Sequence, residues 1–287
     1  MTTSLMMKNN VQFAFFGTSH IATMVLDELE KAGLLPSLIV STPPKKKGRG
    51  LQEVDTDVAT WAKQRNIPLA YDWTEFESSS WDVAIVVDYG KILPQSLLGV
   101  PKKGFLNMHP SLLPRLRGAS PMRSAILNNE RDTGVSVILI DEQMDHGPIV
   151  AQKKAQITEW PVKNPELEQI LVPLGGALLA QILREYVAGT IEPEEQNHDV
   201  ATYSGKFSKD DGLLDLKGDV LENLRKIYAF EGWPGTYAYF ERAGKKIRVA
   251  ILDAHIEGRA LVLDTVKPEG KNAMPYEEFA RSGAKPL

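Results

Sequence analysis

The sequence predicts an α/β fold in which a parallel sheet covered by helices is followed by a second, small β domain. Three observations support this prediction. Apolar runs alternate with helical stretches through residues 1–190, as in parallel sheets with helices on both faces. Residues 191–203 are acidic and lack an apolar period, as a linker does. Residues 204–287 change to strand patterns separated by Gly-containing turns, which indicates a small domain of mostly antiparallel strands.

The elements of the first domain follow in order. The run VQFAFF at 11–16 predicts a strand, Gly17 a tight turn and Ser19 the cap of a helix over 21–32, where apolar residues recur every three or four positions. Pro165 suits the first turn of the last helix. Further strands are predicted at 37–41, 67–71, 82–87, 105–108 and 134–140, and further helices at 58–65, 120–128 and 165–187.

The second domain has a simpler pattern. An amphipathic helix is predicted over 219–230, and strands over 236–241, 246–253 and 259–266. Strands of this kind commonly close into a barrel. Residues 254–258 join the last two strands. If the barrel does not close, its sheet edges must be covered by the linker, the other domain or a partner chain.

Composition narrows the functional classes. The 287 residues carry a formal net charge of −4 and include no cysteine, which excludes thiolate nucleophiles, disulfides and Cys-based zinc sites. No positive field of the whole molecule favours nucleic acid, so any RNA contact must be local. We expect a cytoplasmic, monomeric protein that binds neither membrane nor DNA. The turn after the first strand lacks G-x-G-x-x-G, so dinucleotide binding is not expected.

Polar side chains at two strand ends are the candidates for catalysis. Asn107 and His109 lie two residues apart on an apolar strand, so both side chains leave the same face. Asp145 lies in a polar turn after the strand at 134–140. A carboxylate beside an imidazole orients it and favours its charged form. The structural alternatives are a histidine satisfied in the core and an aspartate that only closes a turn.

An Asn, a His and an Asp without a cysteine or a G-x-S-x-G turn favour direct acyl transfer over a covalent acyl-enzyme. The amide and an imidazolium can donate to an oxyanion, and Asp with His can accept an amine proton. His109, Asp145 and His146 could form a metal site by residue type, but their spacing does not match a known metal-binding motif. We therefore expect no metal.

The motifs around these residues resemble a known family. Residues 107–121 (NMHPSLLPRLRGASP) and 141–149 (DEQMDHGPI) are similar to the signature of folate-dependent formyltransferases. The opening FGTSHIA and the segment WDVAIVVDYGKILP extend the likeness. TYSGKFSKDDGLLDL, IYAFEGWPGTYAYF and KPEGKNAM resemble those members of the family that act on methionyl initiator tRNA.

The resemblance implies a Rossmann-like formyltransferase domain, a reduced OB-like second domain that contacts tRNA, and 10-formyltetrahydrofolate as formyl donor. It implies that Asn107, His109 and Asp145 are catalytic. It also implies that two segments bind the folate. Their residues are Ser111, Leu112, Leu113 and Pro114, and the strand end Asp88, Tyr89 and Gly90.

The loop STPPKKKGRG carries four cations: Lys45, Lys46, Lys47 and Arg49. Alone, such a run indicates a solvated loop. The resemblance implies that it approaches the acceptor arm of methionyl initiator tRNA, where cations would supply local phosphate contacts. Two alternatives stay open, a sugar-nucleotide N-formyltransferase and an inactive folate- or RNA-binding relative.

Overall fold

The computed structural model describes residues 11–47 and 52–287. The chain groups into two compact units, the first from Met1–Arg117, Gly134–Ala155 and Ile170–Thr202, the second from Gly118–Thr133, Gln156–Gln169 and Tyr203–Leu287. Two segments that precede residue 190 therefore group with the second unit. The reason lies in helix packing, since the helix of the first of these segments contacts a helix of the C-terminal part.

The strands are β1 Phe13–Gly17, β2 Leu38–Val40, β3 Lys45–Lys47, β4 Gln52–Val54, β5 Leu69–Ala70, β6 Val83–Val87, β7 Phe105–His109, β8 Gly134–Leu139, β9 Ile149–Lys154, β10 Thr236–Arg242, β11 Lys245–Glu257, β12 Ala260–Pro268, β13 Met274–Pro275 and β14 Lys285–Pro286. The α-helices are α1 His20–Lys31, α2 Asp57–Gln64, α3 Thr74–Glu77, α4 Gln95–Leu98, α5 Pro121–Leu127, α6 Asn164–Ala188, α7 Val220–Ala229 and α8 Tyr276–Ala280.

The first unit is built on a seven-stranded sheet with the order β5-β2-β1-β6-β7-β8-β9. The five strands β5, β2, β1, β6 and β7 pair in parallel, which confirms the predicted mostly parallel α/β fold. β8 and β9 run antiparallel to their neighbours. β9 was not predicted because its second half, Gln152–Lys154, is exposed and polar, so its sequence carries no apolar run.

The centre of this sheet is buried on both faces. All five residues of β1 and of β6 are buried, and Phe16, Phe76 and Phe105 pack edge-on or tilted with centroids 4.9–5.5 Å apart. On α6, a Cβ at Gly175 would lie 2.6 Å from the Met108 sulfur. Glycine therefore allows α6 to approach β7 closely, which fixes the strand that carries Asn107 and His109.

Two features of the first unit concern predicted segments. Lys45–Lys47 was expected to be a loop, but it forms β3 because β4 pairs with it in antiparallel orientation. The residues of β4 are exposed and have no apolar pattern, so this pairing could not be predicted. One helix of the described residues, α6, has the length and apolarity of a membrane span, but more than half of the apolar window is buried inside the structure, as in core helices of globular proteins.

The second unit holds a five-stranded antiparallel sheet with the order β13-β12-β11-β10-β14, which confirms the predicted small β domain. β11 continues to Glu257, so a tight turn at Gly258, with φ +61°, replaces the expected 254–258 connection. In the described residues the sheet is open rather than closed into a barrel. Its edge strands are β13 and β14, which are only two residues long and each end in proline, a residue without a ladder donor.

Candidate active site

The candidate site begins at the end of β7. Asn107 pairs with Val86 of β6 and with Ile138 of β8, and His109 pairs with Ser136 of β8. Because side chains alternate along a strand, Asn107 and His109 share one face while Met108 faces α6. His109 is 4% exposed and Asn107 is half-buried. His109 is therefore shielded from water, whereas Asn107 is partly accessible.

The structure brings Asn107, His109 and Asp145 together, all within the first unit. His109 Nδ1 lies 3.6 Å from Asp145 Oδ2, and Asn107 Nδ2 donates to Asp145 Oδ1 at 3.5 Å. His109 Nε2 lies 3.0 Å from the Leu116 carbonyl oxygen. A carbonyl only accepts, so Nε2 carries a proton and donates it there. The imidazole is thus fixed by the hydrogen bond at Nε2, and its Nδ1 faces the Asp145 carboxylate.

Asp145 lies in the turn between β8 and β9, which we call the catalytic loop and define as residues 141–147. Asp145 has a left-handed backbone with φ +53°, which non-glycine residues adopt only when their surroundings enforce it. Asp141 accepts hydrogen bonds from Gln143 N at 2.8 Å and from His146 Nδ1 at 2.7 Å. A Cβ at Gly147 would lie 2.0 Å from the Leu139 carbonyl oxygen, so only glycine allows this path.

A pocket of about 500 Å³ opens beside these residues within the first unit. This volume lies in the range of small-ligand sites. Asn107 and Asp145 line it, so two of the predicted catalytic residues face a space that can hold a substrate. Its other lining residues are Val86, Lys91, Ile92, Leu93, Gln95, Leu98, Ile138, Leu139, Ile140, Asp141, Glu142, Gln143, Met144 and His146.

The segment Ser111–Pro114 lies outside the lining of this pocket. Ser111 and Leu113 are 1% and 3% exposed, and their polar groups are used internally. Ser111 Oγ donates to the Arg115 carbonyl at 2.6 Å, and the Leu113 carbonyl accepts from Gln152 Nε2 at 2.7 Å. In this structure the segment supports the turn that follows His109.

The strand end Asp88–Gly90 lies directly before Lys91, the first residue of its loop to line the pocket. Asp88 is exposed and has a left-handed backbone with φ +43°; its carbonyl accepts from Thr18 Oγ1 at 2.7 Å. Tyr89 is buried, and burial raises the pKa of its phenol. Its oxygen accepts from Trp73 Nε1 at 3.1 Å. These residues thus support the loop over the pocket.

Three further residues next to the catalytic loop escaped the sequence analysis. Arg117 is 2% exposed and Gln196 is 4% exposed, and Arg117 Nη2 contacts His198 Nδ1 at 2.8 Å. Arg117 lies within the motif at 107–121, whose sequence does not indicate that its side chain is buried. Gln196 and His198 lie in the predicted linker, where a polar sequence gives no sign of burial. His146, considered as a metal ligand, instead pairs with Asp141 and stacks on His198 at 4.0 Å.

Three of the four predicted RNA-binding cations, Lys45–Lys47, form strand β3. Lys45 and Lys46 are exposed, and Lys46 lies opposite Glu53 in the ladder. Lys47 belongs to the same strand, whereas Arg49 lies outside the described residues. Within the part of the chain that the structure describes, no cluster of three or more histidines and carboxylates is placed to hold a metal ion.

Comparison with known proteins assigns the family. Residues 9–181 match the formyl transferase family. The chain is 35% identical to methionyl-tRNA formyltransferase of Thermus thermophilus, over 94% of this chain and 96% of the relative. It is 33% identical to methionyl-tRNA formyltransferase of Paramagnetospirillum magneticum, over 96% and 94%.

A solved structure shows the same fold. An N-formyltransferase from Helicobacter canadensis, in complex with folinic acid and dTDP-3-aminofucose, superimposes with a TM-score of 0.63 at 17% identity. The alignment covers 92% of this chain and 98% of that one. With the family match over most of the first unit and curated relatives along nearly the whole chain, the protein belongs to the formyl transferase family and is a formyltransferase.

Proposed function

We propose that this protein transfers the formyl group of 10-formyltetrahydrofolate to the amino group of methionyl initiator tRNA. The main support is that Asn107 and Asp145 line a pocket of about 500 Å³ with His109 directly behind them. The curated relatives along nearly the whole chain are named methionyl-tRNA formyltransferases. Together these observations favour a charged tRNA as acceptor and a folate as donor.

The pocket has the chemistry that a folate requires. Apolar side chains such as Leu93, Leu98 and Ile138 line it and offer surface for a flat pterin. Carboxylates at Asp141 and Glu142 also line it and can accept hydrogen bonds from amino groups of the ring. We also assign Ser111–Pro114 and Asp88–Gly90 to folate binding; the first segment follows His109 directly, and the second leads into the pocket lining at Lys91.

The reaction proceeds by direct acyl transfer. The acceptor nitrogen attacks the formyl carbon, a C–N bond forms, and the carbonyl electron pair moves to oxygen. Asn107 has two amide N–H groups, of which one contacts Asp145; the other can donate to this oxyanion, a contribution of ~3 kcal/mol for a good donor. Asp145, with His109 beside it, accepts the proton of the attacking amine. The oxyanion pair then re-forms the carbonyl as the bond from carbon to the folate nitrogen breaks, and that nitrogen takes up the proton that Asp145 accepted.

The tRNA contacts are assigned to two regions. Lys45, Lys46, Lys47 and Arg49 contact phosphates of the acceptor arm, because a chain with a net charge of −4 can attract RNA only locally. We assign donor binding to residues 1–190, connection to 191–203 and further tRNA contact to 204–287. The enzyme acts as a cytoplasmic monomer.

An acceptor screen tests the proposal. Purified protein is incubated with 10-formyltetrahydrofolate and either methionyl initiator tRNA or a dTDP-linked amino sugar, and the formylated product is measured by mass spectrometry. We expect formylmethionyl-tRNA, and a much slower reaction with the Asn107→Ala variant. Formylation of the amino sugar alone would establish the sugar-nucleotide alternative. Binding of folate without turnover of either acceptor would establish the inactive relative.

A further inference from the structure

We infer that Gln196, with Arg117 behind it, is a positioning residue that holds the catalytic loop so that Asp145 faces Asn107 and His109. The inference rests on the proposed function, because it gives Gln196 a role through Asp145. All the residues concerned belong to the first unit. Gln196 lies 51 residues after Asp145 in the chain, in a segment that the sequence analysis treated as a linker.

Gln196 connects directly to the backbone on both sides of His146. Its Nε2 donates to the carbonyl oxygen of Asp145 at 2.8 Å and to that of Gly147 at 2.8 Å. Both amide hydrogens are therefore used on the catalytic loop. The side chain is 4% exposed, so water cannot readily replace these bonds, and each unpaired carbonyl would carry a desolvation cost.

Arg117 fixes the other end of the same amide. Its Nε and Nη2 donate to Gln196 Oε1 at 3.1 and 2.6 Å, and Nη2 also donates to His198 Nδ1 at 2.8 Å. Arg117 is 2% exposed. Hydrogen bonds from a buried guanidinium are charge-assisted, and they polarise the amide so that its N–H groups become stronger donors. The oxygen and both hydrogens of the Gln196 amide are thus occupied.

The catalytic loop needs such support. Asp145 has φ +53°, a conformation that persists only when neighbouring contacts enforce it. The Asp145 carboxylate lies 3.5 Å from Asn107 Nδ2 and 3.6 Å from His109 Nδ1, which leaves no margin, because a shift of about 1 Å can cost on the order of 10²-fold in rate. Gln196 holds the carbonyl of Asp145 itself and therefore sets where its carboxylate lies.

The variant Gln196→Glu separates positioning from mere structural support. A carboxylate keeps, and strengthens, the pairing with Arg117. It cannot donate to the carbonyls of Asp145 and Gly147, and it turns an acceptor toward them. We measure kcat and KM for both substrates and the midpoint of thermal unfolding on the full-length protein. The same measurements are made on Asp145→Asn, on the double variant and on Asn223→Leu, which removes a buried amide from the second unit.

We expect Gln196→Glu to stay folded at the assay temperature, with a lower unfolding midpoint because two buried carbonyls lose their donor, and to lose kcat by on the order of 10- to 100-fold, as happens when the partners that orient functional groups are removed. The KM for the tRNA should stay unchanged. In the double variant the loss should be no greater than for Asp145→Asn alone, because both changes disable one unit. Asn223→Leu should lower the unfolding midpoint and leave kcat intact.

Two results would overturn the inference alone: full kcat in Gln196→Glu, or losses that multiply in the double variant. Normal kcat in Asp145→Asn would instead overturn both the proposed function and this inference. If Gln196→Glu does not fold, Gln196→Asn takes its place. That variant keeps the amide but is shorter by one methylene, so it cannot reach Arg117 and both loop carbonyls together, and the same outcomes decide.

Discussion

The imidazole of His109 is fixed by a backbone carbonyl rather than by a side chain. The Leu116 carbonyl accepts from Nε2 at 3.0 Å, and Leu116 itself has a left-handed φ of +59°. The turn after β7 is therefore shaped to bring this oxygen back to the ring. With Nε2 occupied, only Nδ1 can exchange a proton with Asp145, so a single nitrogen links the imidazole to the reacting groups.

The first prediction concerns this histidine. His109→Ala should reduce kcat by ~10²-fold or more, because in the proposed mechanism His109 shares the proton with Asp145. Folate affinity should change little, since His109 does not belong to the lining of the pocket. Steady-state kinetics and fluorescence titration with a folate measure the two quantities.

His255→Ala in the second unit serves as the matched control for loss of a histidine. A folded His109→Ala protein with near-normal kcat would remove His109 from the mechanism. A large loss of folate affinity with unchanged kcat would show instead that the ring serves to shape the pocket.

The sequence was sufficient to predict that two side chains lie together when both residues are on one strand, or when they lie at the ends of neighbouring strands. Asn107 and His109 share a strand face because of their spacing, and Asp145 follows the strand that pairs with theirs. Gln196 could not be predicted, because its burial depends on Arg117, which is 79 residues away in the chain. Nothing in a polar segment distinguishes a buried amide from a solvated one.

At the scale of elements, the catalytic loop depends on one glycine. Gly147→Ala would place a Cβ 2.0 Å from the Leu139 carbonyl oxygen, and backbone cannot yield as a flexible side chain does. The loop must shift, so we expect a loss of kcat on the order of 10²-fold and of about 1–3 kcal/mol in stability.

Gly99→Ala is the matched control for this second prediction. Gly99 has an ordinary φ of −89°, and a Cβ there would meet nothing within 4 Å. Kinetics and chemical denaturation of both variants give the comparison. Unchanged kcat in Gly147→Ala would show that the catalytic loop tolerates a shift of this size.

The β3–β4 hairpin provides a third prediction. Replacing Lys45, Lys46, Lys47 and Arg49 with alanine should weaken tRNA binding and flatten its dependence on salt, since each phosphate contact contributes ~0.7–0.9 to the slope of log K against log salt. Filter binding over a salt series measures the slope. Lys31, Lys63 and Lys102, each within 2.6–3.0 Å of a carboxylate, are replaced in the control, which should keep the slope.

An unchanged slope in the hairpin variant would mean that these cations are only solvated. The sequence suggested a loop here because two prolines and two glycines flank the cations. Pairing with Gln52–Val54 makes it a strand, and exposed partners of this kind carry no apolar signal. The same limitation hid β9, whereas buried strands such as β1 and β6 were recognisable from their apolar runs.

A fourth prediction concerns pH and the long hairpin of the second unit. Asp264 accepts a hydrogen bond from His255 Nδ1 at 2.9 Å, and this contact raises the pKa of His255 above 6.5. A pKa raised by folding stabilises the protein below the unfolded value, and the contribution disappears as the pH rises through the folded pKa.

His255→Gln should therefore lower the unfolding midpoint at about pH 5.5 and leave it unchanged at about pH 8.5. Asp264→Asn should reproduce this pattern, because it removes the other partner. The effect should be small, since both side chains are well exposed. An equal shift at both pH values would show that packing rather than charge is lost.

The whole molecule is not a sequence of two independent halves. Segments 118–133 and 156–169 group with residues 203–287 rather than with the rest of the first half. Within that second unit, α5 packs on α7, and Arg225 Nε donates to the Leu127 carbonyl at 3.2 Å. Lys163, which directly precedes α6, and Glu168, which lies near the start of α6, belong to the same unit. Lys163 Nζ lies 2.9 Å from Asp253 Oδ1. A local sequence pattern cannot predict this grouping of segments, because the grouping depends on which helices pack against each other in the folded chain.

The last prediction follows from this exchange. Truncation after Thr202 removes α7, which contacts α5, and so uncovers part of a helix whose buried side chains include Met122, Ala125 and Ile126. Exposing the two larger side chains costs about 1.5–3 kcal/mol each, so fragment 1–202 should aggregate or unfold at a clearly lower temperature than the full chain. Adding Met122→Lys and Ile126→Glu should restore solubility to the fragment, because these changes make the uncovered face polar, whereas the same pair should destabilise the full-length protein. Light scattering and thermal unfolding of all four proteins give the answer, and a soluble unmodified fragment with the unfolding midpoint of the full chain would show that α5 folds without the C-terminal part.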